Sequence, residues 1–182
     1  MSLRLKRRGT ALLALDLQER LVPAMHGREA LLQNVERLLK GAAVLGVPVL
    51  ATEQYRKGLG PTIPQVAALI ADFAPFEKLT FSGARETPLQ SRCEAAGVSQ
   101  LVLCGVETHV CVLQTCLDLL EHNLQVFVVA DAVSSRTVAN HQLGLTRMQQ
   151  AGAVVVSTEM VLFELLERAG TAEFKAILEL VK

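Results

Sequence analysis

The chain alternates short apolar runs with longer amphipathic stretches along most of its length. Five runs have the length and composition of strands that are buried on both faces; they are residues 11–15, 47–51, 101–104, 126–130 and 153–156. A weaker strand is predicted at residues 76–79, which follow Pro75 and contain two charges. Parallel strands joined by helices require right-handed crossovers, so the pattern predicts an α/β fold with three layers, α/β/α, around a parallel sheet.

The stretches between these runs carry apolar residues at helical spacing. Helices are predicted at residues 31–45, 88–96 and 138–151, and each is followed by a glycine, which suits the left-handed end of a helix. Thr158 is predicted to cap another helix, and a last helix is predicted at residues 172–181. No repeat or flexible linker interrupts the pattern, so one domain is expected over residues 1–182.

The balance of charges and the distribution of apolar residues indicate which kinds of partner the chain can have. The 18 basic and 18 acidic side chains cancel, so no general field draws the molecule to nucleic acid, and a small molecule is the expected partner. The apolar run after the basic first ten residues stops at Asp16, too early for a membrane-spanning helix or a signal peptide. The four cysteines show no paired metal spacing. A cytoplasmic protein without a membrane partner is therefore expected.

Residues 101–115 pass from a predicted buried strand through Gly105 into a helix that has Cys111 near its start. Free backbone N–H groups and the helix dipole favour a thiolate there, as would a nearby cation, so a lowered pKa is expected for this thiol. The ordinary alternative for an isolated cysteine is a structural role in the core. That role is expected for Cys104 and Cys116.

Two charged residues also lie at predicted strand ends. Asp16 closes the first apolar run, and Lys78 lies at the end of the weak strand. Because ligands bind at the carboxyl ends of parallel strands, both side chains are expected at the same edge as Cys111. The Asp16 carboxylate could accept the thiol proton. The Lys78 ammonium could keep that carboxylate ionised and stabilise the thiolate. Taken singly, such residues are more often a helix cap and a solvated lysine.

The combination resembles a known family. Gly105-Val-Glu-Thr-His-Val-Cys111-Val is similar to the nucleophile motif of the isochorismatase-like cysteine hydrolases, G-x-x-T-x-x-C-V. Asp16-Leu-Gln18 and Lys78 match other motifs of that family in order and approximate spacing. The resemblance covers residues 10–163 approximately. It implies a six-stranded sheet in the order 3-2-1-4-5-6, whose first and fourth strands are neighbours.

The resemblance also implies roles for individual residues. Cys111 would attack a carbonyl or similar carbon, Asp16 would move the proton, and Lys78 would complete the catalytic trio. The Val106–Glu107 peptide bond would be cis, and the backbone amides of Glu107 and Cys111 would form an oxyanion hole. The resemblance thus implies hydrolysis of a small amide or related C–N bond.

Metal-dependent nicotinamidases of the same superfamily have an Asp-x-His pair after the second strand. This chain has Thr52-Glu-Gln-Tyr-Arg-Lys-Gly-Leu-Gly60 there, which resembles the small isochorismatase-domain proteins instead. The four histidines are scattered, so no metal and no other cofactor is expected. The candidate substrate contacts are Gln18, Tyr55 and Phe81, with Arg56 and Lys57 as contacts for an anionic ligand.

Other functions stay open on the same fold. Cys111 could be a thiol redox sensor, or the chain could be a non-catalytic binding protein. A further alternative is the cleavage of a vinyl ether by an isochorismatase, a reaction in which the cysteine can be dispensable. The apolar faces of the last helices also predict a homo-oligomer, either a dimer or a tetramer.

Overall fold

The computed structural model describes residues 4–85 and 88–182, and a six-stranded sheet lies at its centre. The strands are β1 (Thr10–Leu15), β2 (Val49–Gln54), β3 (Phe76–Lys78), β4 (Gln100–Val106), β5 (Gln125–Ser134) and β6 (Val154–Val156). All neighbouring strands run parallel, in the order β3-β2-β1-β4-β5-β6. The predicted fold class and strand order are confirmed.

Helices connect the strands. They are α1 (Arg28–Leu45), α2 (Arg56–Leu59), α3 (Pro64–Ala67), α4 (Leu89–Ala95), α5 (Leu113–Glu121), α6 (Val138–Gln150), α7 (Thr158–Leu166) and α8 (Ala172–Val181). A short 3-10 turn (Val22–Ala24) precedes α1, and a π-helical turn (Thr108–Val112) precedes α5. No helix within residues 4–85 and 88–182 has the length and apolar character needed to cross a membrane.

The sheet separates two apolar cores. Leu12 and Ala14 of β1 pack in the core that α1, α7 and α8 cover. Leu13 and Leu15 point the other way, into the core that α4, α5 and α6 cover. Successive side chains of a strand point to opposite faces, so a continuous apolar run is what a strand buried on both sides requires.

Several element boundaries differ from the sequence prediction. β2 begins at Val49 and continues through three polar residues to Gln54, whereas the prediction stopped at Ala51. β5 continues to Ser134. Ser157, rather than Thr158, caps α7, because its side chain accepts a hydrogen bond from the backbone of Met160. The polar end of β2 is buried, which apolar periodicity does not reveal.

Gly105 brings β4 unusually close to β1. Its φ is 114°, and a Cβ added to it would lie 2.0 Å from the carbonyl oxygen of Leu15. Only glycine permits this approach. The contact occurs at the last residue of β1, directly before Asp16.

Candidate functional site

The register of the sheet places Asp16 beside Thr52. Leu15, the last residue of β1, pairs with Thr52 on β2 and with Gly105 on β4. Asp16 follows with φ at 52°, a left-handed conformation that aspartate tolerates better than most residues. Its side chain is completely buried, and Thr52 Oγ1 donates a hydrogen bond of 2.7 Å to Asp16 Oδ1.

Lys78 binds the other oxygen of the same carboxylate. Its Nζ donates to Asp16 Oδ2 at 2.7 Å, to Gln54 Oε1 at 2.7 Å and to the carbonyl oxygen of Phe81 at 3.0 Å. Both side chains of this ion pair are 0% exposed. A buried ion pair needs such additional hydrogen bonds, because neither ion is hydrated. The ammonium group is therefore held in one orientation.

Cys111 lies in the π-helical turn after β4, and its side chain is almost fully buried. The charges of both Asp16 and Lys78 act on the pKa of this thiol, Asp16 raising it and Lys78 lowering it. The structure thus brings together the three residues that the sequence singled out. Asp16 directly follows β1, Lys78 is the last residue of β3 and Cys111 lies in the turn after β4, so all three lie at the carboxyl ends of parallel strands.

The expected lowering of the Cys111 pKa is wrong. Burial, followed by the negative charge of Asp16, raises the pKa of the thiol to about 12, although the Lys78 charge acts in the opposite direction. The desolvation of a thiolate and its repulsion by a carboxylate outweigh the attraction of the cation. At neutral pH the Cys111 thiol is therefore neutral, beside the ion pair of Asp16 and Lys78.

The other cysteines have a different environment. Cys104 and Cys116 are completely buried, and burial alone raises the pKa of each thiol to about 12. All four cysteines are free thiols, including Cys93. Cys104 and Cys116 thus have the core positions that the sequence predicted, whereas both Asp16 and Lys78 influence the thiol of Cys111.

Two polar residues of the site were not singled out from the sequence. Thr52 donates to Asp16, and Gln54 accepts from Lys78 while its Nε2 donates to the carbonyl oxygen of Leu79 at 2.8 Å. Both are buried at the carboxyl end of β2. The signal that could have found them is their place directly after an apolar run, the same signal that identified Asp16.

The side-chain amide of Gln18 is hydrogen-bonded to backbone groups of the chain. Its Nε2 donates to the carbonyl oxygens of Gln54 and Gly60, and its Oε1 accepts from the backbone N–H of Gln54. The side chain is completely buried. Backbone groups use this amide to join the loop after β1 to β2, and a contact of Gln18 with a substrate stays a prediction.

Tyr55 and Phe81 are exposed near the site, at 51% and 52% respectively. Tyr55, Arg56 and Lys57 line a surface depression of about 370 Å³ next to β3. Arg56 is paired with the buried carboxylate of Glu53 at 2.8 Å. These side chains lie where they can contact a ligand, but Arg56 already has an anionic partner.

In the backbone before Cys111, the peptide bond between Val106 and Glu107 is cis. Glu107 itself is paired with Arg136 at 3.1 Å.

Within residues 4–85 and 88–182, no group of three or more His, Cys, Asp or Glu side chains is arranged to hold a metal ion.

The arrangement suits a proton transfer that is coupled to nucleophilic attack. A neutral thiol is a poor nucleophile, but a carboxylate beside it can take the proton as the sulfur forms its new bond. Lys78 fixes the orientation of the carboxylate and offsets its charge in a region of low dielectric. The same geometry would let the acid return the proton to a leaving group.

Comparisons with known proteins agree about the family. The Isochorismatase domain matches residues 10–160. A zebrafish (Danio rerio) protein named isochorismatase domain-containing protein 2 is 38% identical over 178 residues, which cover 98% of this chain and 89% of that protein.

Solved structures give the same result. A structure described as the MAR1 ribonuclease of Caenorhabditis elegans is 36% identical, with a TM-score of 0.91 and coverage of 98% of this chain and 92% of that one. The YcaC gene product of Escherichia coli, described as an octameric hydrolase of unknown specificity, is 25% identical, with a TM-score of 0.92 and coverage of 99% and 91%.

Proposed function

Because this chain belongs to the isochorismatase family, we propose that it is a cysteine hydrolase that cleaves a small amide or a related C–N bond. One observation carries the proposal: the buried ion pair between Asp16 and Lys78, which interacts with the Cys111 thiol. Burying two charges is costly, and a chain that needed only a stable core could use apolar residues there. A thiol whose pKa is shifted by burial and by a neighbouring charge, as the pKa of Cys111 is, is typical of catalytic sites.

The reaction begins with the attack of sulfur on the carbonyl carbon of the substrate. As the S–C bond forms, the thiol proton passes to the Asp16 carboxylate, and the carbonyl oxygen becomes negative. The backbone N–H groups of Glu107 and Cys111 stabilise that oxygen. Lys78 stays an ammonium group throughout and keeps Asp16 in position.

The second half of the reaction releases the products. The protonated Asp16 gives its proton to the leaving nitrogen as the C–N bond breaks, which leaves an acyl group on Cys111 as a thioester. Water then attacks the thioester while Asp16 accepts a proton from it, and the departing sulfur takes that proton back. The net reaction consumes one water and yields a carboxylic acid and an amine.

A substrate screen tests the proposal. Small amides, ureas and imides are incubated with the wild type and with Cys111→Ala, Asp16→Asn and Cys116→Ala. We expect turnover of at least one compound by the wild type and by Cys116→Ala, the control that removes a buried thiol from α5. We expect none above background from the other two variants. Full activity of Cys111→Ala on these compounds would overturn the proposal.

Two further substrates in the screen test reactions other than amide hydrolysis. A single-stranded RNA is included because the C. elegans relative is described as a ribonuclease. A vinyl ether such as isochorismate is included because its cleavage can proceed without the cysteine. RNA cleavage, or vinyl ether cleavage that survives in Cys111→Ala, together with no amide turnover, would replace the proposed reaction.

The redox-sensor alternative gains no support from the site. Oxidation of a cysteine proceeds through its thiolate, and the raised pKa of Cys111 keeps that form scarce at neutral pH. Cys104 and Cys116, the cysteines nearest in sequence, are completely buried. No observation favours a sensor over an enzyme.

The protein is further proposed to act on a small molecule as a homo-oligomer in the cytoplasm. The octameric E. coli relative supports an assembly of identical chains. The formal net charge of +0 gives no support to a nucleic acid partner. Location rests on the sequence alone and stays a prediction.

A further inference from the structure

Three consecutive residues just before the nucleophile each contact the segment that follows β5. Glu107 Oε2 accepts hydrogen bonds of 3.1 Å from both the backbone N and the Nε of Arg136. Thr108 Oγ1 lies 3.0 Å from His141 Nδ1. His109 Nδ1 lies 2.9 Å from Ser135 Oγ. The turn that carries Cys111 is therefore fixed from one side by residues 135–141.

Helix α6 also contacts the backbone of this turn directly. A Cβ added to Gly144 would lie 3.1 Å from the Cα and the N of His109, and 3.1 Å from the carbonyl carbon of Thr108. These distances are tighter than nine in ten real Cβ contacts. A glycine at this position lets α6 pack against main chain rather than against side chains.

The contacts are anchored in the interior. Ser135 and Thr108 are both 0% exposed, and the Ser135 carbonyl oxygen accepts a hydrogen bond of 2.9 Å from the backbone of His26. Burial, followed by the charge of His26, lowers the pKa of His141, so its imidazole is neutral at neutral pH. A neutral imidazole retains an acceptor nitrogen, to which the Thr108 hydroxyl can donate.

We infer that Ser135, Arg136 and His141 are positioning residues, which hold residues 107–109 so that the backbone N–H groups of Glu107 and Cys111 point at the substrate oxygen. The inference rests on the proposed function, because it assigns these residues to the oxyanion hole of that reaction. Backbone donors cannot be oriented by their own rotamers, so neighbouring contacts must fix them. The contacts of the three side chains supply that constraint.

Kinetics of His141→Ala and Arg136→Met test the inference. The Arg136 side chain is 62% exposed, so its replacement leaves the core intact. We expect kcat to fall about 10- to 100-fold in His141→Ala and less in Arg136→Met, with KM almost unchanged, because misplaced donors weaken the transition state alone. Gln142→Ala, an exposed neighbour on α6, is the matched control and should keep the wild-type kcat.

Alkylation of Cys111 by iodoacetamide separates this role from general damage to the site. That reaction displaces iodide and develops no oxyanion, so its rate should stay at the wild-type value in His141→Ala and Arg136→Met. A rise in KM with unchanged kcat, or a parallel loss of alkylation and kcat, would overturn the inference.

Hydrogen exchange distinguishes a failure of the positioning role from a failure of the proposed hydrolase function. We expect the amides of residues 107–112 to exchange faster in His141→Ala than in Gln142→Ala, whatever the substrate. Unchanged exchange would show that α6 does not hold the turn. A wild type without any Cys111-dependent turnover would instead overturn the proposed function and, with it, the catalytic role assigned to these residues.

Discussion

The Cys111 thiol keeps its proton at neutral pH because burial and the Asp16 charge raise its pKa to about 12. Only the thiolate is alkylated. We expect the rate of alkylation by iodoacetamide to rise roughly tenfold per pH unit above neutrality, without a plateau below about pH 9, which mass spectrometry of the Cys111 peptide would measure. A plateau near pH 7 would contradict the raised pKa.

Two substitutions should change the rate of Cys111 alkylation in opposite directions. Asp16→Asn removes the charge that raises the pKa, so labelling of Cys111 should become faster even though turnover is lost. Lys78→Met removes the charge that lowers the pKa, so labelling should become slower. A resting thiolate that depends on Asp16 as its base would give the opposite result for Asp16→Asn.

The ion pair between Asp16 and Lys78 also governs stability, because both side chains are 0% exposed. Asp16→Asn leaves a buried, unpaired ammonium group, and we expect a loss of about 3–5 kcal/mol in the free energy of unfolding. The double variant Asp16→Asn/Lys78→Met removes both charges and should recover most of that loss while remaining inactive. Urea denaturation measures both variants. A double variant less stable than Asp16→Asn would contradict this interpretation.

The ionisable residues of the site could be predicted from the sequence, whereas its polar residues that do not ionise could not. Asp16, Lys78 and Cys111 stand out because ionisable groups at strand ends are unusual. Thr52 and Gln54 are ordinary polar residues, and the hydrogen bonds that give them a role connect them to distant parts of the chain. Pairing across the sheet is needed before their contacts can be seen.

At the scale of elements, the five apolar runs and the weaker strand at residues 76–79 located the six strands, but the runs of β2, β4 and β5 ended too early. β2 extends past its apolar run through three polar residues, and β5 extends to Ser134, whereas the predicted strand ended at residue 130. The polar end of β2 is buried and contains Thr52 and Gln54 of the site, so a buried position there does not require an apolar residue. Cys111 likewise lies in a π-helical turn rather than in the predicted helix, a distinction that side-chain periodicity does not encode.

The close approach of β4 to β1 depends on Gly105, and a pair of glycine substitutions tests it. Gly97 has a φ of 64° with nothing within 4 Å of an added Cβ, so Gly97→Ala tests backbone strain alone. We expect it to cost about 1–2 kcal/mol. In Gly105→Ala the new Cβ would meet the backbone of Leu15 at 2.0 Å, so a loss above about 4 kcal/mol is expected.

Thermal or urea denaturation of both glycine variants measures the difference. The added loss in Gly105→Ala reflects the displacement of β4 from the end of β1, so the residual folded protein should also lose activity. Equal losses of stability in the two variants would show that the strands can separate without cost at this point. Gly97→Ala should keep full activity, since it lies outside the site.

At the scale of the whole molecule, the surface retains large apolar side chains. Leu79 is 70% exposed, close to the edge strand β3, and Tyr55 and Phe81 are exposed near it. Scattered apolar residues on a surface are normal, but a group of them beside an edge strand is typical of an interface. The expected homo-oligomer would cover this group.

Light scattering after size-exclusion chromatography tests the assembly. We expect a mass that is a multiple of 19.7 kDa for the wild type, and a shift toward smaller species in Leu79→Lys, because a buried ammonium group opposes association at an apolar interface. Leu143→Lys is the matched control: Leu143 is 68% exposed on α6, away from β3, and its replacement should leave the mass unchanged. A wild-type mass of one chain would exclude the oligomer, and a shift in Leu143→Lys but not in Leu79→Lys would move the interface from β3 to α6.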